Sequence, residues 1–202
     1  MLGQFLALAL LFALIFGLNI IPAFAPPTWM ALAFVAFQFP DLNPVLLALV
    51  GAVAATLGRL SLAKLSHLLL REKLLNERHR ANIDVIKIRL EKRTTFTLSL
   101  FLFYAFSPLP SNFLFIAYGL TGLSVLRVAL PFFIGRSVSY AFFIMGGAAA
   151  GRRWPVDSFE SAFYASGWFI ATQFLLLGAL YAFAHVDWKA LFDQHKLGWL
   201  RK

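Results

Sequence analysis

The sequence predicts an all-α integral membrane protein built as an inverted repeat. Two re-entrant, proline-broken helical hairpins accompany about four transmembrane helices, with further interfacial helices. Three observations lead there. Hydrophobic residues make up 60% of the 202-residue chain and charged ones only 13%, against roughly 25% charged in soluble domains; mean hydropathy is +0.77. Prolines interrupt two of the apolar runs, removing backbone donors that lipid cannot replace, so the broken backbone belongs inside protein or beside water. Two long apolar runs also carry Gly-Arg pairs, Gly58-Arg59 and Gly135-Arg136. An arginine within a span is costly in lipid and marks a functional site by default.

The elements follow in order within a single membrane domain, 1–202. Residues 3–21 are unbroken and apolar, about the length of one crossing. No Lys or Arg precedes Arg59, so the positive n-region of a signal peptide is missing and the run reads as a retained first helix. Residues 22–42 are short, opened by Pro22, Pro26 and Pro27 and closed by Pro40 and Pro44. That pattern suits a re-entrant hairpin or a short half-helix, with a kinked full span as the alternative. Residues 45–70 form the next transmembrane helix, rich in Ala and Gly, which permit close helix contact.

Residues 71–95 form a basic cytoplasmic helix or loop, with eight basic residues against four acidic ones between Arg71 and Arg93 and no Gly or Pro there. Residues 96–122 are a second re-entrant hairpin, broken at Ser107-Pro108-Leu109-Pro110-Ser111-Asn112. Residues 124–150 make a long helix ending at Gly151-Arg152-Arg153, and Asp157-Ser158 caps a last span over 159–184. The tail, 186–202, has Trp188, Leu191, Phe192, His195 and Trp199 at helical spacing, which reads as an interfacial amphipathic helix.

The order of events repeats. A proline break, a hydroxyl residue, an apolar half-helix, a turn and a long Gly-Arg helix occur from Pro26 and again from Pro108. If 96–122 re-enters, the basic loop and tail share the cytoplasmic side and only Arg152-Arg153 lie outside, which the positive-inside rule favours. The two Gly-Arg helices then run in opposite directions, an arrangement found in transporters.

Arg136 is the first candidate for a substrate contact, too deep in its helix for easy snorkelling. Facing a cavity, it can grip a phosphate with paired hydrogen bonds; bonding to hairpin carbonyls freed by Pro108 and Pro110 is the structural alternative. Arg59, with Lys64 just beyond, is at least as well placed to snorkel to headgroups. Ser111, Asn112 and Thr28 offer hydroxyl or amide groups to a phosphate, or simply cap half-helices. Pro26, Pro27, Pro108, Pro110, Gly58 and Gly135 are the structural members of the site.

These motifs resemble the DedA/VTT (SNARE-associated Golgi protein-like) membrane proteins over roughly Pro22 to Gly147. The similarity is best from Ser107 through Gly119 and at Gly135-Arg136. The resemblance implies two hairpins facing each other across the membrane, and movement of phospholipids or polyprenyl phosphates between leaflets as a flippase or scramblase. Where the family often has a glutamate after its first proline motif, this chain has Thr28 and Trp29. An aspartate common before the first Gly-Arg is replaced by Ala54, Ala55 and Thr56, and arginines flanking the second proline motif by Phe106 and Ser111-Asn112. With Asp41 at a turn, no carboxylate lies within an expected span, which favours passive scrambling, or a divergent branch with another substrate, over proton coupling.

Composition narrows the remaining classes. The chain has no cysteine, which excludes disulfides, thiolate metal sites and a cysteine nucleophile. Its four histidines lack ligand spacing, and there is no clustered acid–base set, so neither enzyme, metal nor cofactor is expected. The net charge of +9 is read as basic loops against anionic headgroups. The 23 phenylalanines are not interleaved with basic residues as a nucleic-acid platform requires. The expected partners are membrane lipids, with no nucleic acid and with room for a homo-oligomer, in a bacterial or archaeal cell membrane. The alternatives are a non-catalytic membrane scaffold using the basic helix, and a small-molecule exporter. A site for hydrophobic cations would want carboxylates where this chain has arginines.

Overall fold

The computed structural model describes residues 2–106, 111–153, 174, 178, 181–183 and 185–193. Eight α-helices and no sheet occur among the described residues. They are α1 (Leu2–Ile20), α2 (Thr28–Gln38), α3 (Pro44–Leu65), α4 (Glu77–Lys92), α5 (Thr94–Phe106), α6 (Asn112–Leu120), α7 (Leu126–Gly151) and α8 (Trp188–Asp193). A π-helical stretch, Ser66–Leu74, continues α3 directly.

Among the described residues, two helices are long and apolar enough to cross a membrane: α3 with its continuation, Pro44–Leu74, and α7. The expected span over 45–70 falls within the first, and that over 124–150 coincides with α7 from Leu126 onward. The expected span over 3–21 forms α1, whose apolar part Phe5–Ile20 is shorter, and most of 159–184 lies outside the described residues. Residues 22–42 hold one helix, α2, rather than a hairpin of their own. The chain instead turns between α1 and α2, with Phe24 at a positive φ of 62°, a backbone conformation that a bulky side chain adopts only under constraint.

The long helices start and stop for local reasons. Asn43 caps α3, its Oδ1 accepting from the N–H groups of Val45 and Leu46 at 3.0 and 3.2 Å, and Pro44 occupies the first turn, where its missing donor costs nothing. Asn76 restarts the chain as α4 by accepting from the His79 N–H at 3.0 Å. The basic region is therefore two pieces, the π-helical end of α3 and the separate helix α4. Nor is α4 purely a surface element: Asn82, Ile83 and Ile86 are buried, against a small cluster with Leu62, Ile116 and Leu120.

Packing pairs the helices crosswise. α1 lies on α3 and α5 on α7, while α2 packs against α7 and α6 against α3. α3 and α7 run antiparallel: Val45, Ala48 and Leu49 at the start of α3 meet Ala141–Met145, and Lys64 and His67 meet Leu123–Leu126. Two hydrophobic clusters result. Leu11, Ile15, Leu32, Ala52, Ala55 and Ile144 gather around α1–α2; Phe101, Phe115, Tyr118, Val128 and Phe132 gather around α5–α6. In the second, Phe115 meets Phe101 and Phe132 edge to face at centroid distances of 5.2 and 4.7 Å, a favoured aromatic geometry.

Glycine sets how closely these helices approach. A Cβ on Gly119 would collide with the Ala63 carbonyl of α3, and one on Gly147 with the Ala33 carbonyl of α2. The tail is tied down at Asn82, whose Nδ2 donates to the Val186 carbonyl at 2.6 Å while its Oδ1 accepts from the Trp188 N–H at 2.8 Å. The amphipathic tail helix expected over 186–202 begins as α8 docked on α4; beyond residue 193 it lies outside the described residues.

Gly119→Ala is expected to destabilise the protein by about 1–3 kcal/mol, because the obstructing atom is backbone and overpacking of this kind is not relieved by a rotamer change. Gly146→Ala, where nothing lies within 4 Å, should be neutral or stabilise by roughly 0.5–1 kcal/mol through helix propensity. Thermal unfolding of both variants in detergent checks the pair, and equal melting temperatures would contradict it.

Candidate functional site

The two helix breaks converge on one cavity. It takes up about 300 Å³ and is lined by Asn19, Ala25, Pro26, Pro27, Thr28, Trp29, Arg59, Ser111, Asn112, Arg136 and Tyr140. Its walls are thus the end of α1, the turn into α2, the start of α6, and the middles of α3 and α7. The enclosed centre has room for roughly one water molecule.

The Gly-Arg pairs position the arginines. A Cβ on Gly58 would stand 2.6 Å from the Asn19 Cβ and 2.7 Å from the Phe16 carbonyl oxygen, so glycine there lets the end of α1 close onto α3. That approach delivers the Asn19 carbonyl to Arg59. A Cβ on Gly135 would likewise stand 2.5 Å from the Ala105 Cβ and 3.0 Å from the Leu102 carbonyl oxygen, so α5 closes onto α7 beside Arg136. In each pair the glycine admits a helix and the arginine serves the junction it creates.

Arg59 is 6% exposed and bridges both breaks. Its Nη1 donates to the Asn19 carbonyl at 2.9 Å and its Nε to Ser111 Oγ at 3.1 Å. The snorkelling alternative therefore fails: the guanidinium points inward, to two neutral oxygens. Arg136 is 4% exposed, with its guanidinium carbon 5.3 Å from the Phe132 ring centre and 5.5 Å from that of Tyr140, within cation–π range. Among the described residues lining the cavity there is no Asp or Glu.

The hydroxyl and amide residues connect the tips rather than cap helices. Ser111, the N-cap of α6, makes no side-chain cap bond, and the N-cap of α2 is Pro27 rather than Thr28. Thr28 Oγ1 accepts from Asn19 Nδ2 at 2.9 Å, and the same Asn19 amide donates to the Ile15 carbonyl at 2.7 Å. Asn112 Nδ2 donates to the Pro22 carbonyl at 2.8 Å, fastening the start of α6 to the turn before α2. Its Oδ1 is buried with no hydrogen-bond partner, an acceptor held at the cavity.

All five expected contact residues, Arg136, Arg59, Ser111, Asn112 and Thr28, line this one cavity, as do Pro26 and Pro27. Gly58 and Gly135 sit behind the arginines as close-contact positions. Pro108 and Pro110 lie outside the described residues. Sequence reasoning passed over Asn19 and Tyr140. Asn19 had a signal, being a lone amide near the end of an otherwise apolar run, and Tyr140 stands one turn beyond Arg136. No protein-family model, curated protein or solved structure matches the chain.

Ser111→Ala removes one acceptor from a buried guanidinium and should lower stability by about 1.5–3 kcal/mol, the range for hydrogen bonds to charged groups. Ser111→Thr keeps the acceptor and should recover most of that loss. Denaturant unfolding in detergent is the check, and an alanine variant as stable as wild type would show that the Arg59–Ser111 contact carries little.

Proposed function

We propose that this chain is an integral, multi-pass membrane protein that moves phosphate-bearing lipids, phospholipid or polyprenyl phosphate, between leaflets. In this reading it is a DedA/VTT-like inverted repeat, α1–α2–α3 against α5–α6–α7. One observation carries the proposal: buried Arg59 and Arg136, from the two long helices, line a single cavity where both helix breaks meet.

Membrane insertion is supported by the outer surface. Phe5, Leu10, Leu130, Phe142 and Phe103 are 63–77% exposed, on three different helices, a distribution expected where the solvent is hydrocarbon. Re-entry is supported by length. α2, α5 and α6 have 11, 13 and 9 residues, or about 17, 20 and 14 Å, short of the roughly 30 Å hydrocarbon core. Hairpins of that size end at depth, and their freed backbone groups must be satisfied by protein or trapped water. The crosswise packing of α2 on α7 and of α6 on α3 is what an inverted repeat requires.

The chemistry follows from the charge. A lipid phosphate offers Arg59 anionic oxygens in place of Asn19 and Ser111, and charge-assisted bonds are stronger than those to neutral acceptors. The closed cavity is too small for a phosphate, so the tips part as a headgroup passes. Arg136, held over Phe132 and Tyr140, presents a second cation to the same group. With no carboxylate among the described lining residues, transfer needs no proton step and proceeds down the lipid gradient. No bond is made or broken, so the protein acts as a transporter rather than an enzyme, without metal or cofactor, in a bacterial or archaeal cell membrane.

The scaffold alternative is weakened by the packing of its docking surface. Arg71 is engaged with the Leu120 carbonyl and Asp84, both at 2.6 Å, and α4 is partly covered by α8.

Reconstitution into liposomes with fluorescent phospholipid and polyprenyl-phosphate analogues tests the proposal, with dithionite-accessible lipid as the readout. Wild type should equilibrate the leaflets faster than empty liposomes, and Arg136→Ala, inserted to the same level, should slow this by roughly tenfold or more, the effect of losing about 1.4 kcal/mol of headgroup binding. Activity that survives Arg136→Ala removes Arg136 from the site. Rates no faster than empty liposomes with every lipid reject the transport reading in favour of a scaffold.

A further inference from the structure

Of the apolar grooves that lie outside the central cavity, two have positions that repeat; a third, between α1 and the start of α3, has no counterpart among the described residues. The first, about 940 Å³, has Leu60, Ser61 and Lys64 of α3 on one wall and Leu123–Leu126, leading into α7, on the other. The second, about 780 Å³, has Ser137, Val138 and Ala141 of α7 on one wall and Val45, Ala48 and Leu49, opening α3, on the other. Leu60, Ser61 and Lys64 stand one, two and five places after Arg59; Ser137, Val138 and Ala141 stand one, two and five places after Arg136. Each groove is therefore the same construction, the face just beyond a buried arginine set against the beginning of the other long helix. Because α3 and α7 are antiparallel, the grooves sit toward opposite ends of the bundle.

Resting on the lipid-moving reading above, we propose that the grooves seat the hydrocarbon chains of the transported lipid, one groove for each leaflet, and that Lys64 makes the α3 groove selective for an anionic phospholipid. A groove that runs beside an arginine of the cavity places a chain alongside the helix whose arginine receives the phosphate. The walls are mainly Leu, Val, Ala and Phe, which hydrocarbon matches without polar groups left unpaired. The repeat then explains two seats rather than one, since a lipid must be held similarly before and after it crosses.

The two seats differ in charge. The α3 groove is also lined by Lys64, His67 and Ser124. His67 Nε2 lies 3.2 Å from Glu72, and Arg71 is held by Asp84, so Lys64 is the cation that faces the groove, with no acid among its described lining residues. The α7 groove has Ser137 as its one polar lining residue. A negatively charged headgroup thus meets a lining cation in the α3 groove, and none among the described lining residues of the α7 groove.

Photo-crosslinking tests occupancy independently of transport. Wild-type protein is reconstituted with phosphatidylglycerol or phosphatidylcholine carrying a diazirine in the acyl chain, and adducts are mapped by mass spectrometry. Adducts should concentrate in 57–64 and 137–145 relative to the exposed α1 face at Phe5 and Leu6. Phosphatidylglycerol should outcompete phosphatidylcholine at 57–64 by roughly fivefold, as expected for one lysine near an anionic headgroup, and Lys64→Gln should erase that preference while 137–145 shows none. Adducts spread evenly over the apolar surface would overturn the proposal, as would a preference unaffected by Lys64→Gln. In the liposome assay, Ser61→Trp and Ala141→Trp fill one groove each and should each slow equilibration with melting temperature unchanged. If wild type moves lipid and both tryptophan variants move it equally fast, the grooves are not the path and the lipid-moving reading stands. If wild type moves no lipid, that reading fails and takes the path with it, whatever the labelling shows.

Discussion

A guanidinium removed from water must find acceptors or cost several kcal/mol, and Arg59 finds them only because two helices end beside it. The last turn of α1 leaves carbonyls without intrahelical partners, and the Asn19 carbonyl is the one that Arg59 Nη1 reaches. The start of α6 supplies Ser111. The Asn19 carbonyl is free because α1 stops there, and Ser111 brings its hydroxyl to Arg59 as the residue that opens α6. The same contacts hold two distant parts of the sequence in register, since residues 19, 59 and 111 come from three separate helical segments. Asn112 adds a second tie to the Pro22 carbonyl.

The crosswise packing gives this junction its rigidity. Each short helix leans on the long helix of the other half, through glycine contacts that bring backbone against backbone, Gly119 on Ala63 and Gly147 on Ala33. Small residues at such contacts are the usual means of close approach where no water is expelled to drive association. At one end, Arg71 joins the π-helical continuation of α3 to the end of α6 and to Asp84 of α4. π-Helical turns often accompany functional positions; here the stretch carries His67 and Arg71 toward the α6–α7 turn, where Gly122 has a φ of 70°.

On the proposed lipid-moving reading, a site made of two arginines and neutral dipoles suits an anion that must leave as readily as it arrives. A carboxylate partner would compete with a phosphate for each guanidinium, and a closed resting state avoids exposing the cations to hydrocarbon. The resting acceptors, a carbonyl and a hydroxyl, are weak enough to be displaced by an anionic oxygen and strong enough to keep the cavity shut without one.

The sequence by itself determined the all-α class, the two long apolar helices, the places where the others break, and the candidate cluster. Apolar run length, proline and an arginine within a hydrophobic stretch each carry a local cost that only a few structures can meet. Arg59, Arg136, Ser111, Asn112 and Thr28 were legible for that reason. The tertiary structure decided what distance in sequence conceals. It made α1 the partner of the turn at Pro22–Pro27, turned Arg59 inward instead of toward headgroups, and gave Thr28 and Ser111 to side chains instead of helix caps. It also split the basic region at Leu75-Asn76 and brought in Asn19 and Tyr140. Those outcomes depend on which helix ends meet, and that is set by close glycine contacts between helices far apart in the chain, a property that no local pattern of residues carries.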